Sequence, residues 1–470
     1  MRYITTAILL LLTLVMGVYA MVQKSPEPEP DLGVEKRVFD SFEPKEAKAI
    51  VWELHDEKIR LEKKDGKWRM VSPIRFPASE DAVGTLLTDL ETLIYTRRIE
   101  GDAGSAEYKL SDPRIVVRVE GVLPKGKDAV LRIGGLDLTE RNVFVATGSS
   151  EDVLVVGKHI VESADKKLSE IRDSHALLFD PVKLDRVDVV TQKTTFRVSK
   201  KDGAYSLVDE RGEELCRAHR ETTESVIRRI EDLEITRFVE DGKEALAAHG
   251  LTRSGSRITV HAGGERTLFL GGPCVVDEKS YGGEILAGRK GPVPAAFCIK
   301  AGQLRKIMIP PKELRAVKLL DLTADSLSKI TVRAGEDVLV VENKKEEGWV
   351  IRPSEKKKKG AEGKEASWSS DAEIVSKYLD DIQAFSALGF AFPREEELAD
   401  YGLVKPVAEV RFVARDGRTE TLELGAETEK YRYVRRKGQK CVAMVHKEIA
   451  RWFEPKVTAF RDLTVLQLDQ

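Results

Sequence analysis

The sequence predicts an α+β protein. An N-terminal transmembrane helix is followed by three tandem α+β units of antiparallel strands with a packed helix. Three observations predict this. A turn with an aromatic just after it recurs, as KKDGKW from Lys63, KKDGAY from Lys200 and KKEEGW from Lys344. The same order of strand-like and helix-like stretches surrounds each turn. An uncharged span, Ile4 to Val22, precedes them all.

The span comes first in the chain. Its residues rise ~1.5 Å each, so as a helix it reaches about 28 Å, close to the ~30 Å hydrocarbon core of a bilayer. Arg2 and the amino terminus precede it, Lys24 follows it, and the next stretch is acidic, SPEPEPDLGVE. Positive charge is retained on the cytoplasmic side, so the bulk of the chain is expected outside. A cleaved signal peptide is the alternative, because Val18-Tyr19-Ala20 fits a small-residue cleavage site. Residues 1–23 are therefore read as anchor or signal. Residues 24–37 are read as a linker, in which Glu27 to Asp31, EPEPD, is an extended stalk held open by proline and like charge.

The first repeat is placed at 38–178. AIVWEL and KIRLEKK read as strands, Asp65-Gly66 as a hairpin turn, and KWRMV as the return strand. A helix follows with Ser79 as N-cap and Glu80 and Asp81 in its first turn. Val83, Leu86, Leu87, Leu90, Leu93 and Ile94 give it an apolar stripe. Four strand-like stretches, IVVRVEG, AVLRIGG, NVFVATG and DVLVVG, precede an apolar-periodic closing segment.

The second repeat, 179–320, has the same order, with Tyr205 after the turn and Val226, Ile227, Ile230 and Leu233 on its helix. The third, 321–470, has Trp349 after the turn. Its helix reads as opening on a capping box, Ser370-x-x-Glu373, with Ile374, Val375, Tyr378, Leu379, Ile382 and Phe385 apolar. Trp68 to Tyr205 is 137 positions and Tyr205 to Trp349 is 144. The third copy is lengthened by KKKKGAEGKEAS between a strand and the helix, where a surface loop tolerates added length.

The chain has 470 residues, 41% hydrophobic and 33% charged, with 77 Lys+Arg against 79 Asp+Glu for a net charge of −2. That balance argues against a dedicated nucleic-acid binder, which would show a basic excess. Four cysteines, Cys216, Cys274, Cys298 and Cys441, lack CxxC spacing and do not read as a disulfide framework. Cys274 and Cys298 lie in what read as neighbouring strands, and a bond between them is left open.

The order DGKW, strand, helix, then a YGL-x-x-P-like segment resembles an uncharacterised bacterial family, domain of unknown function 4340. The motif residues are Asp65, Gly66, Trp68, Tyr108, Leu110 and Pro113 in the first copy. In the third they are Gly348, Trp349, Tyr401, Gly402, Leu403 and Pro406. The second copy departs, with Tyr205 for the tryptophan and His249-Gly250-Leu251 for YGL. The resemblance implies an N-terminally anchored envelope protein, single-pass in the inner membrane and facing the periplasm. Some members resemble accessory components of ABC-type transport systems, which suggests envelope protein partners. It supplies no catalytic residues.

Each candidate for chemistry has a structural alternative. Trp68, Tyr205 and Trp349 would suit a ligand-stacking set, but each is expected to pack over its own helix. The YKL, HGL and YGL segments are expected to be turns, with Gly250 and Gly402 at positive φ and the leucine anchored in the core. The histidines, His55, His159, His175, His219, His249, His261 and His446, show no i, i+4 pair and no HExxH. No P-loop and no GxSxG occurs. Gly134-Gly135 and Gly271-Gly272 follow strands without opening a helix. Lys356 to Lys359 are diluted by Glu362, Glu365 and Asp371, and read as a solvated loop more readily than as a lipid contact. No catalytic, metal or cofactor residue is assigned and no cofactor is expected. The expectation is a non-catalytic, extracytoplasmic interaction protein. A glycan- or peptide-binding module is the alternative, and a hydrolase with an unrecognised site a further one.

Overall fold

Alternation of apolar and polar residues makes the strands. In AIVWEL and KIRLEKK, Ile50, Trp52, Ile59 and Leu61 are fully buried, while Glu62, Lys63 and Lys64 face water. Pairing of such strands leaves one apolar face that a helix must cover. The computed structural model describes residues 36–54, 57–320, 322–344, 347–353 and 367–461. The transmembrane helix expected over Ile4–Val22, the linker before Lys36, and Lys356 to Lys359 lie outside the described residues. Among the described residues no helix is long and apolar enough to cross a membrane.

The chain divides into two compact units, one ending at Ser174 and one beginning at His175. The first holds one nine-stranded antiparallel sheet. Its elements are β1 (Ala49–Leu54), β2 (Glu57–Lys64), β3 (Lys67–Ser72), β4 (Phe76–Pro77), α1 (Glu80–Thr92), β5 (Tyr95–Ile99), β6 (Ile115–Leu123), β7 (Lys127–Leu136), β8 (Asn142–Thr147) and β9 (Val153–Gly157). The sheet order is β4-β3-β2-β1-β6-β7-β8-β9-β5. The chain therefore walks to one edge, crosses by way of the helix to the other edge, then returns to the middle. The second unit contains two more nine-stranded sheets of the same order. Their helices are α2 (Arg220–Glu231) and α3 (Ala372–Gln383).

The helices form where the periodicity places them but end before Leu93 and Ile94, Leu233 and Phe385, and their caps differ. The Ser79 side chain accepts from Ala82 N at the start of α1. His219 takes this role for α2, accepting from Thr222 N. In α3 the expected capping box is not formed. Asp371, one residue later than expected, accepts from Glu373 N, and the Ser370 hydroxyl donates to Phe460 O at 2.6 Å instead. Carboxylate capping of an amide is the stronger option at a helix start. That leaves Ser370 free to tie the closing segment to the sheet.

Connecting chain covers the sheet edges. Arg37 bridges to Ile94 beside β5, and Ala78 after β4 bridges to Arg172. In the second unit His175 bridges to Glu234, with Ala176 N donating to Leu233 O. This contact places His175 and Ala176, ahead of Phe179, with the second unit. Arg315 bridges to Ala218, just after strand Glu214–Arg217 of the second sheet, and three residues later Lys318 bridges to Ser386, just before strand Gly389–Ala391 of the third.

Candidate functional site

The three turn aromatics are buried, with Trp68 5%, Tyr205 6% and Trp349 4% exposed. Each is a core residue and the three do not form an exposed stacking set. Their surroundings nevertheless differ. In the first repeat Glu80, at the first position of α1, accepts from Trp68 N at 2.9 Å, and Lys63 Nζ stands 5.8 Å from the indole centroid. In the second, Arg220 at the first position of α2 donates to Gly203 O at 2.9 Å, and Lys200 Nζ stands 5.7 Å from the Tyr205 ring. In the third, Ala372 opens α3 and Asn343 pairs across from Trp349. Neither long side chain is present. A groove of about 780 Å³ opens there, lined by Asn343, Gly348, Trp349, Ser370, Ala372 and Gln383 among others. Asp325, Asp371, Glu373 and Asp380 give it an acidic rim.

The YGL-type segments are structural. Tyr108 and Leu110 join Ala103, Ala146 and Val153 in a small second core, with Phe144 packed against it. Leu251, Leu246 and Ala296 do the same in the second repeat. Gly250 and Gly402 have φ of 68° and 64°, and Lys109, in their place in the first repeat, holds φ of 54°. Tyr108 meets Phe144 edge-on at 4.8 Å and Tyr401 meets Tyr433 at 4.7 Å. In the second repeat, His249 Nε2 pairs with Glu240 at 3.0 Å.

The glycine pairs expected after strands lie inside them, Gly134-Gly135 in β7 and Gly271-Gly272 in strand Glu265–Val276, and their reason is here. Gly135 N donates to Tyr108 O at 2.9 Å and Ala426 N to Tyr401 O at 2.8 Å. A Cβ on Gly134 would lie 2.1 Å from Tyr108 O, and one on Gly425 2.2 Å from Tyr401 O. The loop docks onto bare backbone. Gly425→Ala is therefore expected to destabilise the third repeat by about 1–3 kcal/mol, as overpacking does. Urea midpoints of variant and parent check this, and an unchanged midpoint would show that the loop can shift freely.

His219 caps α2, His261 lies 3.8 Å from Asp188, and His55 lies outside the described residues. The described histidines are thus spread over caps and pairs in different elements.

The cysteines correct the sequence reading. All four are bonded. Cys274 and Cys298 are joined with Cα atoms 5.8 Å apart, and Cys216 and Cys441 with Cα atoms 5.6 Å apart. Cys274 and Cys298 are not on neighbouring strands, because strand Lys279–Lys290 runs between theirs. The ladder shifts register on both sides of Pro273, and Cys274 lies at that break. Cys216–Cys441 spans 225 positions and ties the second repeat to the third. No local pattern signals a pair that distant; only the placement of strand Glu214–Arg217 beside residues 439–441 does.

A polar clamp surrounds this disulfide. Gln439 Nε2 donates to Glu214 at 2.8 Å, Cys441 N to Leu215 O at 2.9 Å, and Lys440 Nζ to Asp209 at 2.8 Å. Lys440 also pairs with Glu213. The Lys440 ammonium first, and then the N–H groups of Glu213 and Arg211, hold the Asp209 carboxyl down at about 2. A depressed carboxyl stabilises above its unfolded value near ~4 and loses that contribution as pH falls toward ~2. Protection factors of the Lys440 and Cys441 amides, which donate to Leu215 O, should accordingly fall between about pH 4 and pH 2. Protection factors flat across that window would exclude Asp209 as part of the clamp.

Among solved structures, the chain aligns with a DNA polymerase sliding clamp from Pseudomonas aeruginosa at 8% identity and TM-score 0.18, covering 88% of this chain and 94% of that one. It also aligns with the DNA polymerase III beta subunit from Thermotoga maritima at 8% identity and TM-score 0.17, with coverages of 88% and 94%. Scores this low support no argument about fold or activity. No curated protein matches the chain. The profile of one family, described as domain of unknown function (DUF4340), matches residues 68–254, 216–394 and 364–470. Its first match begins at the turn tryptophan, Trp68, and its three matches run through all three repeats, so the chain belongs to this family.

Proposed function

We propose that the chain is a membrane-anchored, extracytoplasmic protein that acts by contact rather than by turnover. On this reading it presents three α+β repeats to protein partners in the bacterial envelope, with ABC-type transport components as the partner class the family resemblance suggests. The observation that carries the reading is the pair of disulfides, Cys216–Cys441 and Cys274–Cys298. Such bonds form and persist in oxidising compartments such as the periplasm. The uncharged span Ile4–Val22 supports a retained anchor. The repeats support action by contact, because what they share is apolar spacing and turn chemistry. Their polar positions diverge, as in Tyr108, His249 and Tyr401.

Three measurements test this reading. Alkaline carbonate should leave the protein in the membrane. Protease added outside the inner membrane should digest the repeats. Affinity purification from solubilised membranes should return defined protein partners. Release into the soluble fraction with residue 21 at the new N-terminus would reject the anchor, and protection from external protease would reject the orientation.

A second reading, a glycan- or peptide-binding module, is favoured by one observation. In the third repeat alone both the first helix position and the residue paired across from the turn aromatic lack a long charged side chain, and the groove beside Trp349 is of small-ligand size. Ala372→Glu, which restores the first repeat's tie, should then abolish ligand binding and leave folding intact.

A further inference from the structure

We propose that the seam between the second and third repeats is a binding site for a phosphate-bearing anionic ligand. A cleft of about 630 Å³ lies there, open to solvent, with Lys201, Ser206 and Arg217 on one wall and Arg411, Thr421 and Lys437 on the other. Its size falls among small-molecule sites, roughly 300–1,000 Å³, and exceeds what a lone phosphate fills. The cleft thus has room for a body larger than a lone phosphate.

The charge of the cleft points to an anion. Arg217 and Arg436 converge on one carboxylate, Glu420, at 3.6 and 2.7 Å. The side chains of Arg217, Arg436 and Glu420 are 28%, 12% and 15% exposed. Three charged side chains thus meet in a partly desolvated place, where ions are costly unless matched, and Arg436 donates to Leu319 O as well. Around the rim, Lys201, Arg411 and Lys437 make no ion pair among the described residues. Arg418 is held at the rim by Asp416 at 2.7 Å.

The acidic lining is largely committed. Glu214 accepts from Ser206 and Gln439, both at 2.8 Å, and Glu409 lies 3.4 Å from Arg333. Asp202 sits with Lys201 at the rim. The lining carries six Lys and Arg against four Asp and Glu, within a chain whose net charge is −2. The positive charge is thus concentrated at this seam. Arginine forks from separate strands suit the several oxygens of a phosphate better than a single carboxylate.

The site is independent of the contact reading above, and its test uses the full chain in neutral detergent. Inorganic pyrophosphate, titrated calorimetrically at low salt, should bind. The triple variant Lys201→Ala, Arg411→Ala and Lys437→Ala alters only exposed side chains and should melt as the parent does. It should bind pyrophosphate at least ~10-fold more weakly. Phosphatidylglycerol doped into the micelles then separates the sources. Displacement of pyrophosphate from the parent assigns the site to a lipid headgroup, and no displacement assigns it to a soluble phosphate compound. Absence of pyrophosphate binding, or equal binding by the triple variant, would overturn the proposal. If the triple variant melts early, Arg411→Lys, which keeps the charge, should retain binding while Arg411→Glu loses it; equal binding by these two overturns it as well.

Discussion

Replacing Cys216 and Cys441 together by serine should lower the stability of the second and third repeats by about 2–5 kcal/mol, near the upper end of what a disulfide contributes. The bond closes a loop of 225 positions, and the conformational freedom it removes from the unfolded chain grows with loop length. The paired change at Cys274 and Cys298, 24 positions apart, should cost less. In the folded state the Gln439–Glu214 and Lys440–Asp209 contacts remain, so the double serine variant should fold and then unfold at lower urea. Urea titration of both variants and the parent gives the ordering directly. Equal midpoints for parent and Cys216/Cys441 variant would mean that the clamp alone fixes the seam.

Trp68→Ala should destabilise the first repeat by roughly 3–5 kcal/mol. The indole is 5% exposed, Trp68 N donates to Glu80 at the head of α1, and Trp68 O accepts from Ala78 N beside β4. Removing the ring leaves a cavity where the hairpin meets the helix. Trp68→Phe, which fills most of that volume, should cost clearly less. Thermal melting of the three proteins checks the ordering. A Trp68→Ala protein that melts with the parent would show that the aromatic is kept for something other than packing.

The repeat was legible because its signals are local. Asp65-Gly66 and Gly348 mark turns, Val83 to Leu90 mark a helix face, and the same order recurs. The caps were legible only in part. At α3 both Ser370 and Asp371 are good caps, and the choice between them rests on where Phe460 lies, which no local window contains. The sheet order was not legible, since β5 pairs with β9 across more than fifty residues. The two sites differ in this respect. The groove at Trp349 is visible as a substitution, Ala372 against Glu80 and Arg220, once the copies are aligned at the helix start. The cleft is not, because Arg217 of the second repeat meets Glu420 of the third only through the docking of one repeat on another.

The connecting chain after Leu314 has a wider consequence. Ala316 N donates to Arg217 O of the second sheet, and Ala387 N, two residues before edge strand Gly389–Ala391 of the third, donates to Val317 O. One short stretch thus satisfies the rims of two sheets, and bare rims invite pairing with other chains. A gene segment encoding a repeat with its connector carries its own shield. Copying that segment in tandem lengthens the protein without creating an unprotected rim at the new joint. Growth by duplication, which solubility would otherwise penalise at each step, is open to a unit built this way.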